Sequence, residues 1–533
     1  MSTDTALDID GLIDPADAEA GPGTLRITDP RDGSPVGDID ASTPDEVDAA
    51  VRRSVEASTA WAATPPAQRG QAVRRAAHAL AEHAEELAEL NARETGKPIG
   101  DALGGVGAGV DTLLQYSELG PVHRGKSLLG TLPAVDFSVP RPRGVTVALT
   151  PWNDPVAVAA GIIGAALVMG NTVIHKPSER CPHTGELLGR ILAEALPDGV
   201  LVSVVGGGDV GDRLVAHEGT RVVAHVGSTA AGEAIARRAA GTPTHVIREN
   251  GGNDPLLVDA GVDPAWAAAQ AALGSFANAG QICTSVERIY VHRAIADRFT
   301  AALVAEAERW NSSGDLGPLV DERMRDAVHD QVAEALTEGA RALVGGHVPD
   351  GPGSRYPATV LVGCTADMTV MTAETFGPVA AVQVVADFDE ALARASDDRY
   401  GLAASVLTAS MEHAQRAAAE LPVGTIKVNG VFGGAPGGAA QPRGRSGSGF
   451  GYGPELLDEM STTTVVHLGL PVLDAGDAPS VDAPVQPTAE STDGDAPSVD
   501  APVQPTAEST DGDAPSVDAP VQPAAESTDG DAR

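Results

Sequence analysis

The sequence predicts an α/β fold in which helices cover parallel β-sheets. Two observations carry this prediction. From residue 144 onward, short strand-like apolar runs alternate with Ala-rich runs of helical length, and Gly (61 residues) and Pro break the apolar runs. Because strands separated by helices pair in parallel, this alternation favours parallel sheets. A chain of 533 residues also exceeds what one hydrophobic core usually organises, so we expect two or three packed units.

The segment ahead of this alternation is predicted to be mainly helical. Residues 1–22 are polar and acidic and indicate a flexible N-terminus. Two short strand-like pieces follow at 24–28 and 35–39. Between 44 and 91, apolar residues recur at spacings of three and four with Arg and Glu between them, which is the pattern of amphipathic helices.

Two alternating regions follow, at about 145–225 and 254–428, and each predicts a sheet with helices packed on it. The predicted strands of the first region are 145–149, 172–175, 201–205 and 222–225. The predicted helices of both regions are 156–169, 184–195, 266–279, 294–310 and 323–338.

The carboxyl end is a repeat. Residues 477–494 read DAPSVDAPVQPTAESTDG, and the same residues recur at 495–512 and, with Ala524 in place of Thr, at 513–530. Each copy lacks aromatic and basic residues and cannot bury enough apolar surface to offset chain entropy. We therefore predict that 474–533 is a disordered acidic tail, although a docking role for the repeats stays open.

Composition favours small-molecule chemistry. The formal net charge of −38 disfavours nucleic acid and anionic membranes as partners, because their phosphates would be repelled. Three cysteines in so long a chain argue against a disulfide framework or a zinc site, so no metal is expected. The sequence shows neither a signal peptide nor an apolar run of about 18 residues, and we expect a cytoplasmic protein.

Cys283 is the candidate nucleophile. It lies in FANAGQICTS, where small neighbours leave space for a ligand, whereas Cys181 and Cys364 have no comparable setting. A thiolate attacks carbonyl carbon readily and forms most easily near a cation or a helix N-terminus. A buried structural role is the ordinary interpretation of one cysteine, so the assignment depends on its companions.

Two further segments supply those companions. Glu249 precedes paired glycines in RENGGNDP, where its carboxylate could face a cleft, and Asn153 in TPWNDP follows a predicted strand. The carboxyl ends of strands are where open α/β sheets bind ligands. Each segment alone is modest evidence, since acids and Asn are also common turn residues.

In order and spacing, the three segments resemble the aldehyde dehydrogenase superfamily. The family pattern P-W-N-x-P falls on Asn153, E-x-G-G on Glu249 and G-Q-x-C on Cys283, which follows Glu249 by 34 residues. Further matches are E-T-G-K-P at 94–98, K-P-S-E at 176–179, G-S at 227–228, E-T-F-G-P at 374–378, Y-G-L-A at 400–403 and V-N at 428–429.

The resemblance implies an aldehyde dehydrogenase-like fold of two interrupted parallel-sheet α/β domains and a bridging extension that builds a homodimer or homotetramer. It implies an NAD-binding domain at 23–125 and 144–252, a catalytic domain at 253–440, and bridging segments at 126–143 and 441–470. It also implies the chemistry: Cys283 attacks the aldehyde, Asn153 stabilises the oxyanion, hydride passes to NAD, and Glu249 activates the water that hydrolyses the thioester.

The resemblance places the cofactor without a G-x-G-x-x-G motif, on the Gly227-Ser228 turn before a helix. Lys176 and Glu179 would meet the adenosine ribose and Glu374 the nicotinamide ribose. Because a carboxylate at 179 should repel the extra phosphate of NADP, NAD is favoured. The full predicted cofactor set is Pro151, Trp152, Lys176, Ser178, Glu179, Gly227, Ser228, Glu374 and Phe376.

The substrate entrance departs from the family pattern. Asp154, Val158 and Gly161 share the helix face that leads to the nucleophile, where bulky aromatics are common, so we expect a roomier and more polar entrance. Alternatively, Asp154 only caps the helix that begins at Pro155. If the Asp154 carboxylate lines the entrance, it should favour a cationic aminoaldehyde over a semialdehyde that carries a carboxylate. Arg443, in QPRG where the family has P-F-G-G, could reverse this preference.

Two alternatives to hydrolytic oxidation remain. A coenzyme A-acylating enzyme would resolve the thioester with a thiol, but the presence of Glu249 argues against it. The chain could also be a catalytically silent scaffold whose repeat tail recruits a partner, which the intact Cys283, Glu249 and Asn153 disfavour.

Overall fold

The computed structural model describes residues 23–396, 399–433 and 441–471. The predicted flexible segment 1–22 and the predicted tail 474–533 lie outside these residues. Within them, no helix is both long and apolar enough to cross a membrane.

The strands are β1 Thr24–Thr28, β2 Pro35–Asp40, β3 Ser127–Leu128, β4 Val135–Pro142, β5 Val145–Thr150, β6 Thr172–Pro177, β7 Leu201–Ser203, β8 Thr220–Val226, β9 His245–Glu249, β10 Asp254–Val258, β11 Val286–His292, β12 Arg341–Val344, β13 Thr359–Val362, β14 Val379–Val385, β15 Ala403–Leu407, β16 Thr425–Val428, β17 Gly447–Ser448 and β18 Ser461–Leu468. The helices are α1 Pro44–Ala63, α2 Pro66–Glu82, α3 Ala84–Thr95, α4 Ile99–Val122, α5 Pro155–Val168, α6 Pro182–Ala193, α7 Gly208–Ala216, α8 Thr229–Ala239, α9 Pro264–Phe276, α10 Ala296–Ser313, α11 Glu322–Thr337, α12 Thr369–Thr372, α13 Phe388–Ser396, α14 Met411–Glu420 and α15 Leu456–Glu459.

Two large sheets organise the fold. The six-stranded sheet has the order β17-β9-β8-β5-β6-β7, and the seven-stranded sheet has the order β12-β13-β14-β11-β10-β15-β16. Pairing is parallel throughout except at the edge strands β17 and β12, which are antiparallel. The predicted α/β fold with parallel sheets is confirmed.

Two smaller antiparallel sheets complete the structure. β1 pairs with β2, and β18, β4 and β3 form a three-stranded sheet. Residues 441–470, predicted as a bridging segment, therefore contribute to two sheets: β17 joins the six-stranded sheet and β18 joins the three-stranded one.

Helix α5 lies at the centre of the first core. Pro155 occupies its first turn, where a missing N–H costs nothing, and the helix is apolar on almost every side. It packs against α4 and the six-stranded sheet. Buried residues such as Ile162, Ile163 and Leu167 each stabilise the fold by about 1.5–3 kcal/mol relative to exposure.

One predicted helix ends early. The sequence predicts a helix over 266–279, but α9 ends at Phe276, and Asn278 and Ala279 adopt left-handed backbone conformations with φ of 49° and 55°. Gly280 follows with φ of 73°. This turn redirects the chain from the helix into the loop that carries Cys283, which periodicity alone does not reveal.

Candidate active site

The loop that carries Cys283 is fixed by its neighbour Gln281. The Gln281 side chain donates hydrogen bonds to the carbonyls of Asn278 (3.1 Å) and Pro318 (3.3 Å) and accepts one from Val320 N–H (2.9 Å). A Cβ at Gly280 would collide with the backbone of Gly377. The residues before Cys283 thus hold its loop against the segments at 318–320 and 377.

Asn153 lies against this loop. It follows β5 and precedes α5, and its Nδ2 donates a 3.0 Å hydrogen bond to the backbone carbonyl of Gln281. Asn153, in the loop that follows β5, is thereby held against the backbone of a residue two positions before Cys283 in the sequence. The second Nδ2 hydrogen stays available for another acceptor.

Glu249 ends β9 and is half-buried. Its Oε1 accepts a 3.1 Å hydrogen bond from Gly451 N–H. Burial raises the pKa of Glu249 to about 7, and the Gly451 bond opposes this shift. A carboxylate with such a pKa can take up and release a proton near neutral pH, which is what a general base requires.

The Cys283 side chain is half-buried among acidic groups. Burial, followed by the nearby carboxylates Glu249, Asp254 and Glu374, raises the pKa of this thiol to about 12, and the Lys427 ammonium opposes them. The thiol is therefore protonated at neutral pH in this state. Its conversion to a thiolate needs positive charge, such as Lys427 or a cationic cofactor ring, or a proton acceptor.

Three ionisable residues near Cys283 or Glu374 were not identified from the sequence. Asp254 and Glu287 are buried, and burial raises the pKa of each carboxyl well above its usual value. Glu287 accepts hydrogen bonds from the backbone N–H groups of Thr375 and Phe376. Lys427 is the third. Glu287 lies within β11, Lys427 lies within β16, and Asp254 begins β10 just after a glycine turn, so no local signal marks them.

Lys176 and the Gly227-Ser228 turn lie at the carboxyl ends of strands of the six-stranded sheet. Lys176 lies in β6, opposite Leu149 of β5, and His225 of β8 lies on the other side of Leu149. The Gly227-Ser228 turn follows β8, and Ser228 Oγ caps α8 by accepting from Ala231 N–H (3.3 Å). This edge, with a helix N-terminus beside it, is where a dinucleotide binds in open α/β folds.

A buried polar ring at this edge fits a polar ligand. His225 is 7% exposed, and neither of its ring nitrogens has a hydrogen-bond partner of ordinary geometry among the described residues. Burial lowers the pKa of His225 to about 4, so the ring is neutral and can donate from one nitrogen. The neutral His225 ring and the helix N-terminus after the Gly227-Ser228 turn therefore suit a polar, anionic cofactor such as a dinucleotide.

The other predicted cofactor residues divide into two groups. Ser178 and Glu179 follow Lys176 and lie 3.5 Å apart through Oγ and Oε2. Pro151 and Trp152 precede Asn153, and the Trp152 ring meets the Phe376 ring edge-on, with centroids 5.6 Å apart.

Glu374 belongs with the second group. Its Oε1 accepts from Gly252 N–H at 3.1 Å, and burial raises the pKa of this carboxyl to about 7. Its carboxylate also lies against Gly251, where a Cβ would collide with it. Glu374 therefore lies beside the glycine turn that follows Glu249.

The substrate face differs in two respects from what the sequence suggests. Asp154 stands at the N-cap position of α5 but makes no capping hydrogen bond through its side chain. Instead its carboxylate lies 3.4 Å from the Lys97 ammonium. Gly161 is buried, and the ring of Tyr452 lies where a Cβ at 161 would make ordinary contact, at 3.6 Å.

Tyr452 was not identified from the sequence as a neighbour of this face. Its hydroxyl is 3.0 Å from Thr112 Oγ1 of α4, so the ring is held against α5. Val158 is half-buried against the same core. An aromatic ring from the carboxyl-terminal segment thus covers part of the face that the sequence left open.

Across the described ranges, no cluster of His, Cys, Asp and Glu side chains could hold a metal ion.

Comparisons with known proteins identify the family. The model of the aldehyde dehydrogenase family matches residues 17–466. An alpha-ketoglutarate semialdehyde dehydrogenase of Haloferax volcanii is 37% identical over an alignment of 421 residues, and the match covers 76% of this chain and 87% of that protein. A betaine aldehyde dehydrogenase of Cereibacter sphaeroides is 35% identical over 76% of this chain and 85% of its own.

Solved structures are similarly close. The betaine aldehyde dehydrogenase of Staphylococcus aureus in complex with NAD+ has a TM-score of 0.81 and 28% identity, with 84% of this chain and 92% of that chain covered. A 3,6-anhydro-L-galactose dehydrogenase in complex with NAP has a TM-score of 0.81 and 33% identity, with 84% of this chain and 97% of that chain covered. The chain therefore belongs to the aldehyde dehydrogenase family, as an NAD-dependent oxidoreductase that converts an aldehyde to its carboxylic acid through a cysteine.

Proposed function

We propose that Cys283 is the nucleophile of this reaction, Asn153 an oxyanion donor and Glu249 the general base of hydrolysis. The observation that carries the proposal is the hydrogen bond from Asn153 Nδ2 to the backbone of the Cys283 loop, with Glu249 close enough to raise the pKa of the Cys283 thiol. Two strand ends and one loop, far apart in sequence, converge on one site.

The chemistry divides among these residues. Cys283 Sγ adds to the aldehyde carbon, and the oxygen that becomes negative takes hydrogen bonds from Asn153 Nδ2 and Cys283 N–H. Such donors contribute about 3–4 kcal/mol each in other enzymes. The bound NAD supplies a hydride acceptor. Glu249 then takes a proton from water as the water attacks the thioester, a role worth roughly 10²- to 10⁴-fold.

We propose that NAD is held by two groups of residues, one for its adenosine and diphosphate half and one for its nicotinamide half. Lys176, Ser178 and Glu179 would bind the adenosine ribose, and the Gly227-Ser228 turn would bind the diphosphate through N–H groups at the start of α8. Pro151, Trp152, Glu374 and Phe376 would border the nicotinamide half. The domain division follows, with the six-stranded sheet as the NAD-binding domain and the seven-stranded sheet as the catalytic domain.

The substrate is proposed to be a polar or bulky aldehyde rather than acetaldehyde. Asp154 and Lys97 bring charge beside Asn153, while a two-carbon substrate would find few contacts to hold it for attack. The aldehydes in the relatives' names, alpha-ketoglutarate semialdehyde and betaine aldehyde, carry opposite charges, so charge at this entrance is the property to test.

A homodimer or homotetramer is proposed to form through the three-stranded sheet. Several large apolar side chains on this sheet and next to it are exposed, which is unusual for a surface without a partner. They are Leu128, Leu129, Leu132, Val135, Val465, Leu468 and Leu470. Val465→Glu should reduce the molecular mass measured by light scattering, and an unchanged mass would remove this sheet from the interface.

The location is proposed to be cytoplasmic, since reaction through Cys283 needs a reduced thiol. The cysteines Cys181, Cys283 and Cys364 are all free. Fractionation of the producing cells, followed by immunodetection, would place the protein.

Two variants test the proposed chemistry by stopped-flow detection of NADH. Cys283→Ser should lose nearly all activity while NAD binding persists, because a hydroxyl lacks the accessible anion of a thiol. Cys364→Ser, at a buried cysteine in the core of the seven-stranded sheet, is the matched control and should keep activity. More than a few per cent activity in Cys283→Ser would overturn the nucleophile.

Glu249→Gln should produce one burst of NADH and then stall at the thioester, because hydride transfer precedes the step that needs the base. Loss of the burst together with turnover would place Glu249 in acylation or folding instead. Adding coenzyme A tests the acylating alternative: acceleration of turnover by the thiol in the wild-type enzyme would favour it over hydrolysis.

A further inference from the structure

Gly451 lies directly against Glu249. Strand β17 pairs with β9 so that Gly447 stands opposite Glu249. The chain then returns past the same residue, and Gly451 N–H donates a 3.1 Å hydrogen bond to Glu249 Oε1. The segment that follows β17 therefore forms one wall of the pocket around this carboxylate.

The absence of a side chain at 451 matters as much as its N–H. A Cβ there would overlap Glu249 Cγ and stand 2.5 Å from Oε1 and 2.7 Å from Cδ, closer than real Cβ contacts come. The backbone itself does not require glycine, since Gly451 is not among the residues with positive φ, unlike Gly449 (81°) and Gly453 (77°). Glycine at 451 is thus explained by Glu249 rather than by the turn.

We propose that Gly451 is a positioning residue for Glu249: its N–H orients the carboxylate, and its missing side chain leaves the room that the carboxylate occupies. This inference rests on the proposed role of Glu249 as the base of hydrolysis. It assigns a function in the second half-reaction to the carboxyl-terminal segment, which supplies no residue to the proposed nucleophile or oxyanion site.

The consequence is specific to hydrolysis. A methyl group at 451 forces Glu249 out of its present position and lengthens or breaks the hydrogen bond. That hydrogen bond lowers the pKa of Glu249 against the effect of burial. Its loss therefore raises the pH above which the base is active, while attack by Cys283 and hydride transfer, which do not use this contact, continue.

Gly451→Ala tests the proposal by stopped-flow and steady-state NADH production between pH 6 and 9. The NADH burst should keep its amplitude within about twofold, steady-state turnover at pH 7 should fall about tenfold or more, and the acid limb of the pH profile should move to higher pH. Gly107→Ala is the matched control, because a Cβ at Gly107 in α4 meets nothing within 4 Å.

Three outcomes overturn the positioning role. Turnover and pH profile unchanged in Gly451→Ala would show that the contact has no effect. Equal losses of burst and turnover, with a lower melting temperature, would show a structural effect only. An additional loss of the same size when Gly451→Ala is placed in Glu249→Gln would show that Gly451 acts independently of Glu249.

Glu249→Gln alone separates this inference from the proposed function. If that variant turns over normally, Glu249 is not the base and both fail. If it stalls after the burst while Gly451→Ala behaves as wild type, the base assignment stands and only the positioning role is wrong.

Discussion

The ammonium of Lys97 lies 3.4 Å from the carboxylate of Asp154 and donates a 3.0 Å hydrogen bond to the backbone carbonyl of Asn153. Lys97 belongs to the E-T-G-K-P segment, and its side chain is only 10% exposed, whereas that of Asp154 is 39% exposed. The charge of Asp154 is thus partly compensated before any substrate arrives. The enzyme should therefore prefer cationic aldehydes less strongly than it would if Asp154 had no cationic partner.

The effect of charge at the substrate entrance is therefore tested by replacing Asp154 and Lys97 in turn. Asp154→Asn should lower the kcat/KM ratio of 4-aminobutanal to succinate semialdehyde, and Lys97→Met should raise it, each roughly two- to fivefold for a pair that solvent partly screens. Arg443→Gln, at an exposed residue, should raise the ratio if Arg443 borders the entrance. A ratio that stays constant across all three variants would place these side chains outside the substrate path.

Turnover limited by hydrolysis should decline in acid. Burial raises the pKa of Glu249 to about 7, and a base acts only when deprotonated, so its contribution is present above this pKa and lost below it. Steady-state turnover should fall about tenfold per pH unit well below pH 7. The residual turnover of Glu249→Gln should lack this limb, and a wild-type limb near pH 4.5 would contradict the shifted pKa.

Lys427 should assist formation of the Cys283 thiolate. Its ammonium lowers the pKa of the thiol, which burial and carboxylates raise. Lys427→Met should therefore slow alkylation of Cys283 by iodoacetamide at pH 8 to 9, because a smaller fraction of thiolate is present. Lys126→Met, at an exposed lysine, is the control. Equal alkylation rates in both variants would show that the Lys427 charge does not reach the sulfur.

Glu179 should set the preference for NAD over NADP. A carboxylate beside the ribose accepts from a 2'-hydroxyl and repels a 2'-phosphate. In Glu179→Gln the ratio of kcat/KM for NAD to that for NADP should fall, mainly through better use of NADP. Glu194→Gln, at an exposed position beyond α6, should leave the ratio unchanged. An NADP preference in the wild-type enzyme would show that the ribose contact is wrongly assigned.

Glu94 should stabilise the fold rather than catalyse. Its buried carboxylate accepts from His183 N–H and Nδ1 and from Thr184 N–H and Oγ1, at 2.6 to 3.0 Å, where α6 begins. Loss of hydrogen bonds to such a buried charge costs about 2–4 kcal/mol. Glu94→Gln should lower the melting temperature well below that of Glu89→Gln, at an exposed residue of the same helix.

The pH dependence of this loss follows from His183. The hydrogen bond with Glu94 raises the pKa of His183 above its ordinary 6.5. A raised histidine pKa contributes stability that is full below about pH 6.5 and disappears as the pH rises through the folded-state pKa. The deficit of Glu94→Gln should therefore be larger at pH 6 than at pH 8.5. A deficit independent of pH would exclude charge on His183 as its source.

The sequence was enough to predict those features that depend on a residue type and its immediate neighbours. The parallel sheets follow from the alternation of apolar strands with helices, and Cys283, Glu249 and Asn153 each stand within three residues of a Gly or Pro. The helix predicted over 266–279 extends too far because Asn278 and Ala279 have no periodicity that forbids helix. The left-handed turn at these residues accompanies tertiary contacts, the close packing of Gly280 against Gly377 and the hydrogen bonds of Gln281.

The sequence by itself determined the family, the α/β class and the identity of the candidate reactive side chains, since these depend on residue order and short spacing. Tertiary structure alone decided which groups surround them: Lys97 against Asp154, Lys427 near Cys283, Tyr452 over Gly161 and Gly451 on Glu249. These contacts join segments far apart in the chain. The pairing of β16 with β15 positions Lys427, and the pairing of β17 with β9 positions the segment of Gly451 and Tyr452. The charge, pKa and free space at a site depend on such neighbours in three dimensions, which no local pattern records.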